Sequence, residues 1–331
     1  MTKFLLLSIS IFLSTLALAF PSNIRFGYNS CSACHVDVTG GGLLTPYGRM
    51  ASGEIMSTWS GKGEAGILNG LLSTSDALDL GGDFQHVSIS TKDYERSFVM
   101  QRELQAGLNY KRQFFLTVST GLYGEDPEET EMRKAYVQVN AFDNWTLKVG
   151  KFFPAFGIMS NEHLYIYRSR YFDEGTETYN AEIMYRGRYL EIVAARIFGR
   201  SNDLINLQLI GKKGFSGRAS WLPTKTVNVG LSYYMLIEPY AEIEKTASAH
   251  ALWAITKQFF VESQIGFEDA YFRLGVVPAN GFIVRPTVEY IYDSIEPPKV
   301  ELNIQWLPRP HYDFQLTSSK KTWVFLSHYY L

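Results

Sequence analysis

From Ala77 onward the apolar residues of this chain recur at every second position, and this period constrains the fold more than any other feature. Met100, Leu104, Ala106, Leu108 and Tyr110 alternate with Gln101, Glu103, Gln105, Gly107 and Asn109. The same pattern runs through Ala135 to Ala141, Val227 to Met235 and Val300 to Trp306. A period of two is that of a strand with one apolar and one polar face. Such strands also build soluble sandwiches. Here, though, the polar face carries Gln, Asn, Gly and Glu, and the apolar rows end in aromatics. The chain has 21 Tyr, 22 Phe and 6 Trp, and a mean hydropathy near zero, at -0.09. No segment after the N-terminus offers the roughly 18 consecutive apolar residues of a membrane helix. These features predict an all-β transmembrane antiparallel barrel with an apolar exterior and a wet interior.

Turn lengths predict the strand count. Short connections fall at Lys111-Arg112, Phe142-Asp143-Asn144, Arg186-Gly187-Arg188, Leu222-Pro223-Thr224, Thr256-Lys257, Pro278-Ala279-Asn280 and Leu307 to Pro310. Longer or more charged ones alternate with them, from Thr91–Ser97 to Ser318–Lys321. The alternation holds if Ile205 to Trp221 is one long strand. It gives about 16 strands with both barrel ends on the short-turn, periplasmic side. Trp323, Phe325, Tyr329 and Leu331 share one face of the last strand, which resembles the aromatic C-terminal strand of outer-membrane barrels. Leu331 stands where such strands usually end in Phe.

The N-terminus carries a targeting pattern. Lys3 is the basic n-region, Phe4 to Leu18 the apolar h-region, and Ala17-Leu18-Ala19 an A-x-A cleavage site. Residues 1–19 are therefore expected to be a signal peptide, 20–75 a small separate segment and 76–331 the barrel. A net charge of -2 gives no basic stripe for a nucleic-acid partner.

Both cysteines of the chain lie in Cys31-Ser32-Ala33-Cys34-His35, the C-x-x-C-H spacing of covalent c-type haem attachment. Two thiols on one turn can add to the two haem vinyl groups, and the next residue, His35, is placed as the proximal iron ligand. A redox disulfide needs no following histidine, and a zinc site wants a nearer fourth ligand than His86. A chance match is the remaining alternative. Gly40-Gly41-Gly42 then reads as a turn that lets backbone approach a porphyrin, or as a linker. Pro46 suits the first turn of a short helix capped by Thr45.

The order of parts resembles the outer-membrane monohaem cytochrome–porin fusions, of iron-oxidising type. The residues that carry the resemblance are Cys31, Cys34 and His35, with Leu44-Thr45 and Gly48-Arg49 similar to the LT-x-x-GR run that follows the haem motif there. The barrel matches in architecture only, and the chain is shorter than the iron-oxidising members. The resemblance implies one covalent haem c in or against the lumen. It also implies electron movement between an extracellular donor, such as Fe(II), and a periplasmic carrier such as a cytochrome.

Met50 and Met56 are the distal-ligand candidates, since a His/Met pair raises the reduction potential. Each also reads as packing. The loop Pro154 to Thr176 is the longest, holds Met159, His163, Arg168 and Arg170, and is expected to fold into the lumen. Arg168 and Arg170 would there meet haem propionates or an anionic solute. The acidic run Glu125 to Glu129 would attract cations. Two functions stay open: an electron conduit rather than a substrate-turnover enzyme, or a solute-diffusion porin whose haem segment acts as a periplasmic sensor or gate. They differ in whether the haem sits in the lumen or the periplasm.

Overall fold

The structure is a computed structural model that describes residues 21–72, 77–124, 130–158, 176–200, 209, 211–237, 243–292, 294–295 and 297–331. The expected signal peptide, the acidic run at 125–129, Met159, His163, Arg168 and Arg170 lie outside the described residues.

Sixteen strands form the wall. They are β1 (Leu78–Thr91), β2 (Glu95–Tyr110), β3 (Phe114–Tyr123), β4 (Glu131–Phe142), β5 (Trp145–Phe152), β6 (Thr178–Arg186), β7 (Leu190–Gly199), β8 (Lys213–Thr224), β9 (Val227–Ile237), β10 (Ile243–Ala254), β11 (Phe259–Gly266), β12 (Asp269–Ala279), β13 (Phe282–Ile291), β14 (Lys299–Trp306), β15 (Tyr312–Ser319) and β16 (Thr322–Tyr330). Each pairs antiparallel with its sequence neighbours, and β1 pairs with β16, so the barrel is closed and has no free edge.

The alternation sorts the faces as the sequence predicts. Leu104, Leu108 and Tyr110 face outward, while Gln101, Glu103 and Gln105 on the same strand are buried inside. Val300, Leu302 and Ile304 face outward, against Glu301, Asn303 and Gln305 inside. An even strand count and short turns alternating with longer loops follow as expected. One expectation fails: Ile205 to Trp221 is not one strand. Leu209 and Lys212 lie outside the ladder, and β8 begins at Lys213. Gly211 adopts φ 84°, off the pleat. Both neighbours also run out there, since β7 ends at Gly199 and β9 at Ile237. The odd positions Phe215 and Trp221 still face outward, so the phase reading holds where the strand exists.

Residues of the segment 21–72 contact inward-facing wall side chains and the short connections. The Arg25 guanidinium donates to Lys257 O (3.2 Å), and the Asn29 amide to Thr224 O (2.9 Å). The Asn280 side chain donates to Ser57 O (2.6 Å), and the His311 ring lies 2.9 Å from Glu64 O. Each of these wall partners lies in or beside a short connection. From the opposite end, residues 153–158 turn inward as expected for the start of the long loop. Gly157 N donates to Ser232 Oγ (2.8 Å) and Ile158 N to Gln264 Oε1 (3.1 Å). Phe156 is buried against Ile197, Tyr234, Leu236 and Tyr271, and Ala155 against Met184 and Val193, with Val38 of the N-terminal segment packed on them.

Candidate functional site

The C-x-x-C-H motif opens with a 3-10 turn over Cys31–Ala33, closed by Cys34 N and His35 N on Cys31 O (3.2 and 3.1 Å). The following chain folds back on it. Val36 N donates to Leu43 O, His35 bridges Leu44, and Thr45 N donates to Cys34 O at 2.8 Å. Thr45 then caps the helix Pro46–Ala51: its Oγ1 accepts from Gly48 N (3.1 Å) and donates to Cys34 O (3.2 Å). Gly48 must be glycine here, because a Cβ would lie 2.3 Å from Cys34 O. Arg49 turns back to donate to Leu44 O (3.1 Å). The L-T-x-x-G-R run is thus the structural lid of the cysteine motif. Gly40, Gly41 and Gly42 all take positive φ, and a Cβ on Gly40 would stand 2.8 Å from Cys31 Sγ. The run is a turn held against the motif, rather than a linker.

A buried ion cluster fastens this segment to the wall. Lys148 Nζ of β5 donates to Asp37 Oδ1 (2.8 Å) and Thr39 Oγ1 (3.1 Å), and lies 2.9 Å from Glu182 Oε1 of β6. Thr39 N and Oγ1 also donate to Asp37 Oδ1 (2.9 and 2.7 Å). Burial alone would raise the Asp37 carboxyl, but the Lys148 ammonium and these hydrogen bonds hold it below the ordinary carboxylate range. Gln138 Nε2 donates to Val36 O from β4 (3.2 Å).

Two cavities flank the motif. The larger, about 260 Å³, is bordered by Cys34, His35, Leu43 and Met56 and runs along the inner faces of β1, β2 and β16. The smaller, about 70 Å³, is bordered by Cys31, Gly40, Glu191, Arg218 and His250. The two thiols are not bonded to each other. Burial, partly offset by Arg218, pushes the Cys31 thiol up to about 11.

The donors a haem c would use are Cys31, Cys34 and His35. His35 Nδ1 pairs with Gly42 O (3.3 Å), the kind of outer contact that selects Nε2 as the metal-binding nitrogen. Met56 is 3% exposed on the same cavity wall, and Asn23 Nδ2 lies 3.9 Å from its Sδ. Met50, the other distal candidate, is 57% exposed and borders neither cavity, because the helix Pro46–Ala51 turns it away from the motif. The two thiols open on different cavities, so seating both at one porphyrin edge takes a side-chain rotation at Cys31. Among the described residues no cluster of three or more His, Cys, Asp or Glu is placed to hold a metal ion by protein donors alone.

Sequence reasoning missed three features. Arg49 is buried, with Nε and Nη1 lacking a hydrogen-bond partner among the described residues. Asn23 is fully buried beside Met56. The Asp37–Lys148–Glu182 cluster was legible only as charged residues on lumen-phase positions of β5 and β6, with nothing to pair them to residue 37.

No protein-family model and no curated protein matches the sequence. Solved structures do match the fold. Among them are variants of the porin of Rhodopseudomonas blastica. One aligns with a TM-score of 0.60 at 10% identity, over 77% of this chain and 100% of its own. A triple mutant aligns at 0.57 and 11% identity over the same shares. At this identity the likeness is one of fold: a porin-like, closed 16-strand barrel, which fits the outer membrane.

Proposed function

We propose that this chain is a porin-type protein of the outer membrane that passes small solutes through a lumen gated by its own N-terminal segment. The observation that carries the reading is the closed 16-strand barrel with an apolar outer face and a polar inner one, on a porin-like fold. In this reading the short-turn end is periplasmic. The segment 21–72 plugs that end, and the Asp37–Lys148 contact fixes how far the plug reaches into the lumen.

A second reading is favoured by one observation: Cys34 and His35 border the same cavity as Gln105 and Gln85 of the wall, and Cys31 the same cavity as Arg218 and His250. On it, Cys31 and Cys34 bond one haem c, His35 holds its iron, and Met56 is the sixth-ligand candidate. The group would supply a one-electron Fe(III)/Fe(II) couple. The protein would then resemble the cytochrome–porin fusions, with an extracellular donor such as Fe(II) and a periplasmic carrier as partners. The chain's own part is to exclude water from the motif with Leu43 and Leu44, to orient His35 through Gly42 O, and to insulate the site from lipid with the barrel wall.

Two measurements on the full chain separate the readings. Haem staining after denaturing electrophoresis, with oxidised and reduced visible spectra, reads covalent haem. Planar-bilayer conductance reads solute passage. Conductance without a stained band supports the porin; a stained band on a non-conducting barrel supports the conduit. A barrel that neither conducts nor stains defeats both.

A further inference from the structure

The larger cavity has a second half that neither cysteine motif nor porin fold accounts for. From Gly81 to Ile89 it follows β1 for about 27 Å at the usual rise per residue. Towards the long-loop end its wall changes from polar to apolar. Val87 faces Leu326 on one side and Phe98 on the other, and Ile89 faces Val324. All five border the cavity, with Met100.

A β-bulge creates this wall. Gln85 pairs with Gln101, but His86 pairs with Val99, so Met100 is an extra residue in β2. Below the bulge the odd residues Gln101, Glu103 and Gln105 point inward; above it the phase flips and Phe98 does. Other lumen-facing apolar side chains are covered, Ile197 and Tyr234 by Phe156 of the inward loop and Phe260 and Ile283 by Ile24 of the N-terminal segment. Among the described residues the β1–β2–β16 stripe instead borders the cavity.

Directly beneath the stripe two buried acceptors face the same cavity. Gln85 Nε2 donates to Asp83 Oδ1 (2.9 Å), while its Oε1 has no hydrogen-bond partner among the described residues. Asp313 Oδ2 accepts from Gln305 (2.8 Å) and Gln315 (2.9 Å), while its Oδ1 has none. Gln85 is 3% and Asp313 2% exposed. Of the other ionisable groups on this wall, His328 stands in register between Gln85 and Asp313 with its Nε2 2.9 Å from Asp83 Oδ1, Arg273 lies 3.7 Å from Glu262, and Glu301 lies 2.8 Å from Lys299. What is unmet is therefore a hydrogen-bond donor, next to one carboxylate, below an apolar cleft. Unmet buried acceptors cost free energy until a donor reaches them.

We infer that this half of the lumen is a binding site for a small organic cation, with its ammonium head on Asp313 and Gln85 and its apolar body against Val87, Phe98, Val324 and Leu326. The inference rests on the solute-porin reading, in that it names the class of solute. It needs nothing from the cysteine motif.

The test uses the full chain in zwitterionic lipid nanodiscs, with empty nanodiscs as the blank. Phenethylammonium, 3-phenylpropionate and ammonium are titrated by calorimetry. Phenethylammonium is expected to bind about tenfold or more tighter than either of the others. Asp313→Asn should weaken the amine about tenfold and leave the carboxylate unchanged, and Val324→Asn should weaken it by a similar factor. Wild-type protein that binds amine and carboxylate alike, or amine binding that ignores both variants, overturns the site. Bilayer conductance scores the porin reading separately. A conducting barrel without amine preference loses only this inference; a non-conducting barrel that prefers the amine keeps the site and loses the porin.

Discussion

The wall and the N-terminal segment are held by different physics. In the wall, each strand is tied to two neighbours by backbone ladders, and the side chains need only keep the right phase. In the segment 21–72, regular structure is short: 3-10 stretches over Pro21–Phe26 and Cys31–Ala33, helices over Pro46–Ala51 and Ile67–Gly70, and a π-turn over Ser52–Met56. Its position rests on specific, non-repeating contacts with the wall, chiefly Lys148 with Asp37, Ile24 packed against Phe260 and Ile283, and hydrogen bonds to the short connections. A repeating wall tolerates change at one point because the ladder continues on either side. A segment held by non-repeating ties has no ladder on either side to take over when one is lost.

The largest expected effect tests that contrast where the two regions meet. Lys148→Ala leaves Asp37 and Glu182 buried without their cation, a loss of about 3–5 kcal/mol. Most of it should appear as undocking of the segment. Limited proteolysis should cut within 21–72, while the folded barrel keeps its heat-modifiable mobility on gels. Cleavage at the wild-type rate would show that the ion cluster does not hold the segment.

Next in size is a change to the wall itself. Leu231 faces outward near the middle of β9, at 67% exposure, and its neighbour Ser232 faces inward. Leu231→Arg should cost about 2–4 kcal/mol in folding titrations in lipid. Ser232→Thr should change little in the same titration. Equal costs would mean that the outer face does not meet lipid.

Glycines give a smaller, paired comparison. Gly48→Ala drives a Cβ towards Cys34 O and should cost about 1–3 kcal/mol. Gly217→Ala, in β8, meets nothing nearer than Val193 O at 3.8 Å and should stay within about 0.5 kcal/mol. Chemical denaturation with protease sensitivity of 21–72 as the second probe reads both.

The smallest effect is that of pH. Asp37 titrates lower in the folded protein than in the unfolded chain. Its contribution is therefore complete above the ordinary carboxylate value of about 4 and is lost as the pH falls through the folded value. Protease sensitivity of the segment should rise on acidification below about pH 4, and Asp37→Asn should be more sensitive at neutral pH and flatten the response. A wild-type profile in that variant would remove Asp37 from the docking.

The wall is legible along the chain. Side chains of a strand alternate strictly, so a run such as Gln101 to Tyr110 states which residues meet lipid and which meet the lumen, and short turns alternating with long loops count the strands. The local geometry of the motif was legible too, because Cys31, Cys34 and His35 sit within one turn and Thr45 caps the helix that covers them. The sequence could not place what depends on distant segments meeting. Only the closed barrel brings Lys148 and Glu182 to Asp37, buries Met56 while leaving Met50 outside, and ends β8 at Lys213 where its neighbours end. The apolar cleft above Asp313 is of the same kind. It exists because an extra residue at Met100 reverses the phase of one strand beside two others far away in the chain, and no period read along a single strand contains that.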